Sequence, residues 1–228
     1  MAISQNVLSA SRVATTWNGS EFEAAVSLTI PAGTSVLNVR LVGEHSRIPP
    51  SLVSWNGSAL ASRISGDDGD HRGIVIYDLD SPATTTANLS ISTISEITYV
   101  VIATVLSGVD VGGTPRGTAI TAGDWSTSAS VNAATVAGDV VLDVVSSRRA
   151  TLTVGAGQTS QYNSDGPDAA GEDYVGASYK TASGTTTSME WTLDTDQRWV
   201  MAAIPYKPAA EGGGGSVAKS VPWFFLNQ

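Results

Sequence analysis

A chain of 228 residues with 42% hydrophobic and only 14% charged residues is long enough to bury a core of its own, and its apolar alternation excludes a disordered chain. It has no cysteine, which excludes disulfides, thiolate metal sites and cysteine nucleophiles. The net charge is −9 and the 12 cationic residues are scattered, with only Arg148 and Arg149 adjacent, so nucleic acid is excluded as the main partner: phosphate binding needs a clustered basic footprint.

Residues 1–21 read as an N-terminal arm or first-strand region. Met1 to Asn6 lacks a basic segment followed by an apolar run, so no signal peptide is expected. From Phe22 the pattern has period two, with Phe22, Ala24, Val26, Leu28 and Ile30 on one face of a strand. Val36 to Val42 follows, with Leu37, Val39 and Leu41 opposing Val36, Asn38 and Arg40. Ser51–Trp55 and Ala59–Ile64 flank Asn56-Gly57, a hairpin signal because a type I′ turn needs positive φ at both central residues. Gly73–Leu79 and Ala87–Ile94 are next, then Thr98–Val109, which is apolar on both faces and reads as a central strand. Its uncharged stretch, Ile97 to Leu106, is too short to span a bilayer, so no membrane partner is expected.

Beyond Gly112-Gly113, strands are predicted near Thr118–Ile120, Ser126–Asn132, Asp139–Ser146, Tyr174–Thr181, Thr185–Leu193 and Trp199–Tyr206, with no helix longer than two turns. Many short strands between Gly, Pro and Asp turns predict an all-β, antiparallel, jelly-roll-like sandwich of two sheets over residues 22–208. Residues 209–216 have the composition of a flexible Gly-rich linker. Residues 217–228 form an aromatic tail in which Trp223, Phe224, Phe225 and Leu226 follow Pro222. Four consecutive large apolar residues in water would aggregate, so they are expected to dock on a partner subunit.

The chain offers little for catalysis. A Ser-His-Asp triad would have to use His45 or His71, and no nucleophile elbow accompanies either. Gly155-Ala156-Gly157 reads as a turn, not a dinucleotide fingerprint. No enzyme activity and no cofactor are expected. The acidic run Asp67-Asp68-Gly69-Asp70 reads as a solvated turn, with a weak calcium site at Asp67, Asp68 and Asp70 as the alternative. Of the tryptophans, Trp55, Trp191 and Trp199 fall at core positions of strands. Trp17 and Trp125 lie in loop-like contexts and are the candidates for exposed, glycan-facing aromatics. The tetrapeptide Trp-Asn-Gly-Ser occurs at 17–20 and 55–58 and reads as two turns rather than a duplicated domain.

Several segments in order carry a resemblance: Val53 to Leu60, Gly73 to Leu79, Leu106 to Asp110 with Thr114-Pro115, Gly138 to Asp143, and Trp199 to Pro208. Together they resemble a jelly-roll-like sandwich module of bacteriophage virion proteins, also seen in some bacterial surface proteins. The resemblance implies a non-enzymatic structural protein that decorates a capsid or forms part of a head or tail fibre. Its partners would be other virion subunits, with homo-oligomerisation, and it would reach the virion after assembly in the host cytoplasm. The alternative is a carbohydrate-binding receptor or adhesion module of a tail fibre or cell surface.

Overall fold

Because β-branched residues alternate with Ser and Thr along most of the chain, strand is the state that can bury one side of it. The computed structural model describes residues 1–44, 49–69, 72–167 and 173–210, and among these there is no helix. The first half supplies β1 (Ser4–Ala14), β2 (Thr16–Trp17), β3 (Phe22–Thr29), β4 (Thr34–Glu44), β5 (Leu52–Trp55), β6 (Ser58–Ala59), β7 (Ala61–Asp67), β8 (Arg72–Asp80), β9 (Thr86–Thr93) and β10 (Thr98–Ser107). The second half supplies β11 (Ile120–Ala134), β12 (Val140–Arg148), β13 (Leu152–Val154), β14 (Thr159–Asp165), β15 (Asp173–Thr181) and β16 (Thr186–Tyr206). Every pairing between them is antiparallel.

The fold is an all-β antiparallel sandwich, as the periodicity predicts, but it has three sheets instead of two. An outer sheet runs β2-β3-β9-β5-β6, a central sheet β1-β10-β4-β8-β7, and a third sheet β11-β16-β12-β15-β14 with β13 beside β16. The outer and central sheets enclose a core that includes Leu28, Trp55, Leu89 and Ile91 against Leu37, Val39, Tyr99 and Val101. The other face of the central sheet packs on the third sheet through Val36, Ile74, Ile76 and Ile102 against Leu142, Val144, Val200 and Ile204. The third sheet curls around a core of its own, built from Val131, Met189, Trp191, Leu193, Val141, Val145 and Met201.

This layering explains β4. Its Leu37, Val39 and Leu41 face the first core, as the alternation predicts. The opposite face, with Asn38 and Arg40, has the pattern of a wetted surface, yet both residues are fully buried because the third sheet covers them. Most of their polar atoms are matched inside the protein, while Asn38 Oδ1 and Arg40 Nε are buried without a hydrogen-bond partner. Arg40 donates from Nη1 to the Asp143 carbonyl at 2.8 Å, and from Nη2 to Thr104 Oγ1 at 2.5 Å and Gln161 Oε1 at 2.8 Å. Burial pushes its pKa down to about 10, against the opposing pull of Asp143.

Other boundaries differ for identifiable reasons. Asn56 and Gly57 do adopt positive φ, 48° and 79°, but the hairpin they close is short. After Ala59 the chain leaves the outer sheet at Leu60 and continues as β7 in the central one, so the predicted strand 59–64 is split between sheets. The two strands predicted at 118–120 and 126–132 are one, β11, and those at 185–193 and 199–206 are one, β16; a register shift between Ser126 and Ser128 accommodates the polar interruptions. Odd-numbered residues Met189, Trp191, Leu193, Trp199, Met201 and Ala203 all face the third core, so the β11–β16 ribbon bends over its own sheet. Trp191 closes that bend, donating from Nε1 to Asp143 Oδ2 at 2.9 Å. A Cβ on Gly176 would lie 2.7 Å from its ring, so only glycine fits beneath it.

Pairing register also places Met1 and Ala210. Ala209 N–H donates to the Gly108 carbonyl at 2.7 Å and the Met1 amino group to the Ala209 carbonyl at 3.1 Å. Met1 and Ala210 thus share the pole where β10 ends. Ala14, Thr98, Gly43, Gly73 and Asp67 lie at the other ends of the same paired strands and define the opposite pole. The eleven residues of β4 separate the two poles by about 35 Å at the ordinary strand rise.

Candidate functional site

The chemistry-bearing surface lies at the pole away from Met1 and Ala210. Trp125 sits in strand β11, not in a loop, next to the register shift at Ser126. Such irregularities re-aim side chains, and Trp125 keeps 55% exposure where a strand tryptophan is ordinarily buried. Its cross-strand partner is Arg198, whose guanidinium carbon lies 5.6 Å from the ring centroid. Arg198 is held from beneath by the Asp68 carbonyl, to which Nη1 donates at 3.0 Å.

Two hollows meet at this tryptophan. One, of about 270 Å³, is lined by Asp67, Asp68, Gly123, Asp124, Trp125 and Arg198. Gly123 lets the backbone approach closely: a Cβ there would stand 3.1 Å from the Trp199 carbonyl oxygen. The other, of about 200 Å³, is lined by Trp125, Arg148, Arg149, Gln197 and Arg198. Arg149 has φ 56°, a left-handed backbone that disfavours side chains other than Gly, Asn or Asp. The turn that forces it is braced by Ser147 Oγ donating to the Ala150 carbonyl at 2.6 Å. The ring therefore stands between Asp67, Asp68 and Asp124 on one side and Arg148 and Arg149 on the other, with Arg198 lining both hollows.

The acidic turn is engaged with its own backbone. Asp67 Oδ1 accepts from the Gly69 N–H and Asp68 Oδ1 from the Arg72 N–H, each at 2.9 Å. Among the described residues no group of three or more candidate ligands could hold a metal ion. An approaching cation would also meet the Arg198 guanidinium, which disfavours calcium at this turn.

No protein-family model, curated protein or solved structure matches this chain.

The sequence candidates fare differently. Trp17 is 60% exposed, but it belongs to the outer sheet and leans on Phe22, with ring centroids 5.2 Å apart. It shares no hollow with Trp125. Asp67 and Asp68 join Trp125 in one hollow, a grouping that sequence distance hides. Asp70, His45, His71 and the tail residues Trp223, Phe224, Phe225 and Leu226 lie outside the described residues. Arg198, Gln197 and Asp124 were not singled out by the sequence. The one available signal was Arg148-Arg149, the single adjacent cation pair in a dispersed set.

A second polar cluster, Asn38, Asp78, Arg116 and Tyr206, lies sealed between the central and third sheets. Asn38, Asp78 and Tyr206 are each at most 1% exposed, so the cluster's position is that of a structural cross-tie.

Proposed function

We propose that this chain is a non-enzymatic, jelly-roll-like module of a phage particle, held by neighbouring subunits through the segment that follows Ala210 and binding carbohydrate at the pole opposite Met1 and Ala210. The carrying observation is Trp125: an exposed ring flanked by two polar hollows, at the far end of the molecule from Met1 and Ala210. The apolar C–H face of a sugar ring packs on such an aromatic surface, while its hydroxyls bond to carboxylate acceptors and guanidinium or amide donors around it. The virion setting draws its support from the strand and turn segments that resemble phage modules.

The test is a glycan array probed with the purified chain, followed by Trp125→Ala. Truncating a central tryptophan typically costs about 2 kcal/mol or more, so binding to any hit should weaken by roughly 30-fold. Trp17→Ala should leave it unchanged, since that ring lies in another sheet. An array without a reproducible hit would leave a decoration or fibre subunit that works through protein contacts alone.

Attachment is assigned to Trp223, Phe224, Phe225 and Leu226, in the segment that continues from Ala210. Fully burying one such side chain is worth about 1.5–3 kcal/mol. Deleting residues 212–228 should abolish incorporation into purified particles and leave glycan binding intact. Normal incorporation of the truncated chain would exclude the tail as the anchor.

A further inference from the structure

Within that carbohydrate reading, on which the following rests, the charge boundary at Trp125 points to the class of sugar. We infer that the Arg148–Arg149–Arg198 hollow takes the carboxylate of an acidic sugar whose ring stacks on Trp125. Three of only 12 cationic residues converge on one hollow of about 200 Å³ in a chain of net charge −9. Arg148 ends β12, Arg149 opens the β12–β13 turn and Arg198 comes from β16, so adjacency in sequence alone does not explain the cluster. Arg149 reaches it on a left-handed backbone, φ 56°, that a non-glycine residue adopts only where its surroundings impose it. Strain of this kind gathers at ligand sites.

The geometry around Trp125 also sets polarity. Asp67, Asp68 and Asp124 outnumber the shared Arg198 in the neighbouring hollow and repel a carboxylate, so an acidic sugar on the ring places its charged group toward Arg148 and Arg149. Guanidinium forks bind carboxylates through paired N–H donors, which an ammonium does not reproduce. Gln197, on the same wall, supplies both a donor and an acceptor to a hydroxyl beside the carboxylate.

The experiment is isothermal titration of the full chain with oligogalacturonate, oligoglucuronate and sialyllactose, each against the same compound after reduction of its carboxyl to the alcohol. At least one acidic form should bind tenfold or more tightly than its reduced form, and the difference should shrink as salt is raised. Arg149→Gln, at an exposed turn residue, should weaken the acidic form much more than the reduced form and so lose that preference; Arg149→Lys should recover only part of it. Trp125→Ala should weaken both forms. Equal binding of acidic and reduced forms, or equal weakening of both by Arg149→Gln, overturns the acidic-sugar assignment and leaves the carbohydrate reading standing. Absence of binding to every compound here, with neutral hits on the array, overturns the same assignment alone. A blank array as well overturns both.

Discussion

Replacing Asp78 by Ala is expected to cost about 3–5 kcal/mol, the range for removing one partner from a buried charged network. Asp78 is 1% exposed and accepts from Asn38 Nδ2 at 2.9 Å, Tyr206 OH at 2.6 Å and Arg116 Nε at 2.5 Å, with Arg63 Nε at 3.3 Å. Arg116 is held further by Asp80 and lies over the Tyr206 ring, 5.7 Å from its centroid. Truncation would leave these donors without their acceptor in the seam between the central and third sheets, and an unmatched buried donor loses its full hydration energy. Asn38 and Asp78 belong to the central sheet and Tyr206 to the third, so the loss falls on the contact that holds the two halves together. For a chain of this size the melting temperature should fall by about 10 °C. Tyr206→Phe, which removes one hydroxyl and leaves both arginines paired, should cost only about 1 kcal/mol. A loss below 1 kcal/mol for Asp78→Ala, measured by denaturant titration, would mean that apolar packing alone holds the sheets together.

The same seam marks the limit of what the sequence makes legible. Alternation predicts the class of fold and most of the strands, because the choice of face is local: Leu37, Val39 and Leu41 must point the same way. It also predicts the burial of Trp55, Trp191 and Trp199. What covers the opposite face is not local. Asn38 and Arg40 have the pattern of residues bound for water, and only the arrival of β12 and β16 from more than a hundred residues away encloses them. Hence a two-sheet sandwich was expected and three sheets are present. Residues 1–21, read only as an arm or first-strand region, hold β1 and β2 of the sandwich. The short strands β13 and β14 went unread because Leu152–Val154 is too brief to show a period and Thr159–Asp165 is polar throughout, apart from one tyrosine. The candidate site is similar. Trp125 and the Asp67-Asp68 turn were separately visible, but their union depends on Arg198 bridging to a carbonyl 130 positions away.

Alkaline pH should unfold this protein steeply, for a reason seated in its buried tyrosines. Burial raises Tyr77 and Tyr99 to about 12 and Tyr206 well above its ordinary value, Asp78 adding to the last. In the unfolded chain all three lose their protons near pH 10. A group whose folded pKa is raised contributes stability that is complete below the unfolded value and lost as pH rises through the folded one. Between about pH 10 and 12 the native state therefore holds three protons that the unfolded state has released, and each removes about 1.4 kcal/mol per pH unit. Arg40 has the opposite sign, because burial lowers it to about 10, so the native state releases a proton that the unfolded chain keeps. The net difference is about two protons, or roughly 2.7 kcal/mol per pH unit, and two units would remove about 5 kcal/mol, comparable to the whole margin of many domains. Denaturant midpoints measured from pH 9 upward should stay level to about 10 and then fall steeply, with the β-sheet circular dichroism signal lost in one cooperative step. Tyr206→Phe removes one of the three retained protons and should halve the net slope. A midpoint that stays level through about pH 12 would show that these hydroxyls are reached by solvent in the native state.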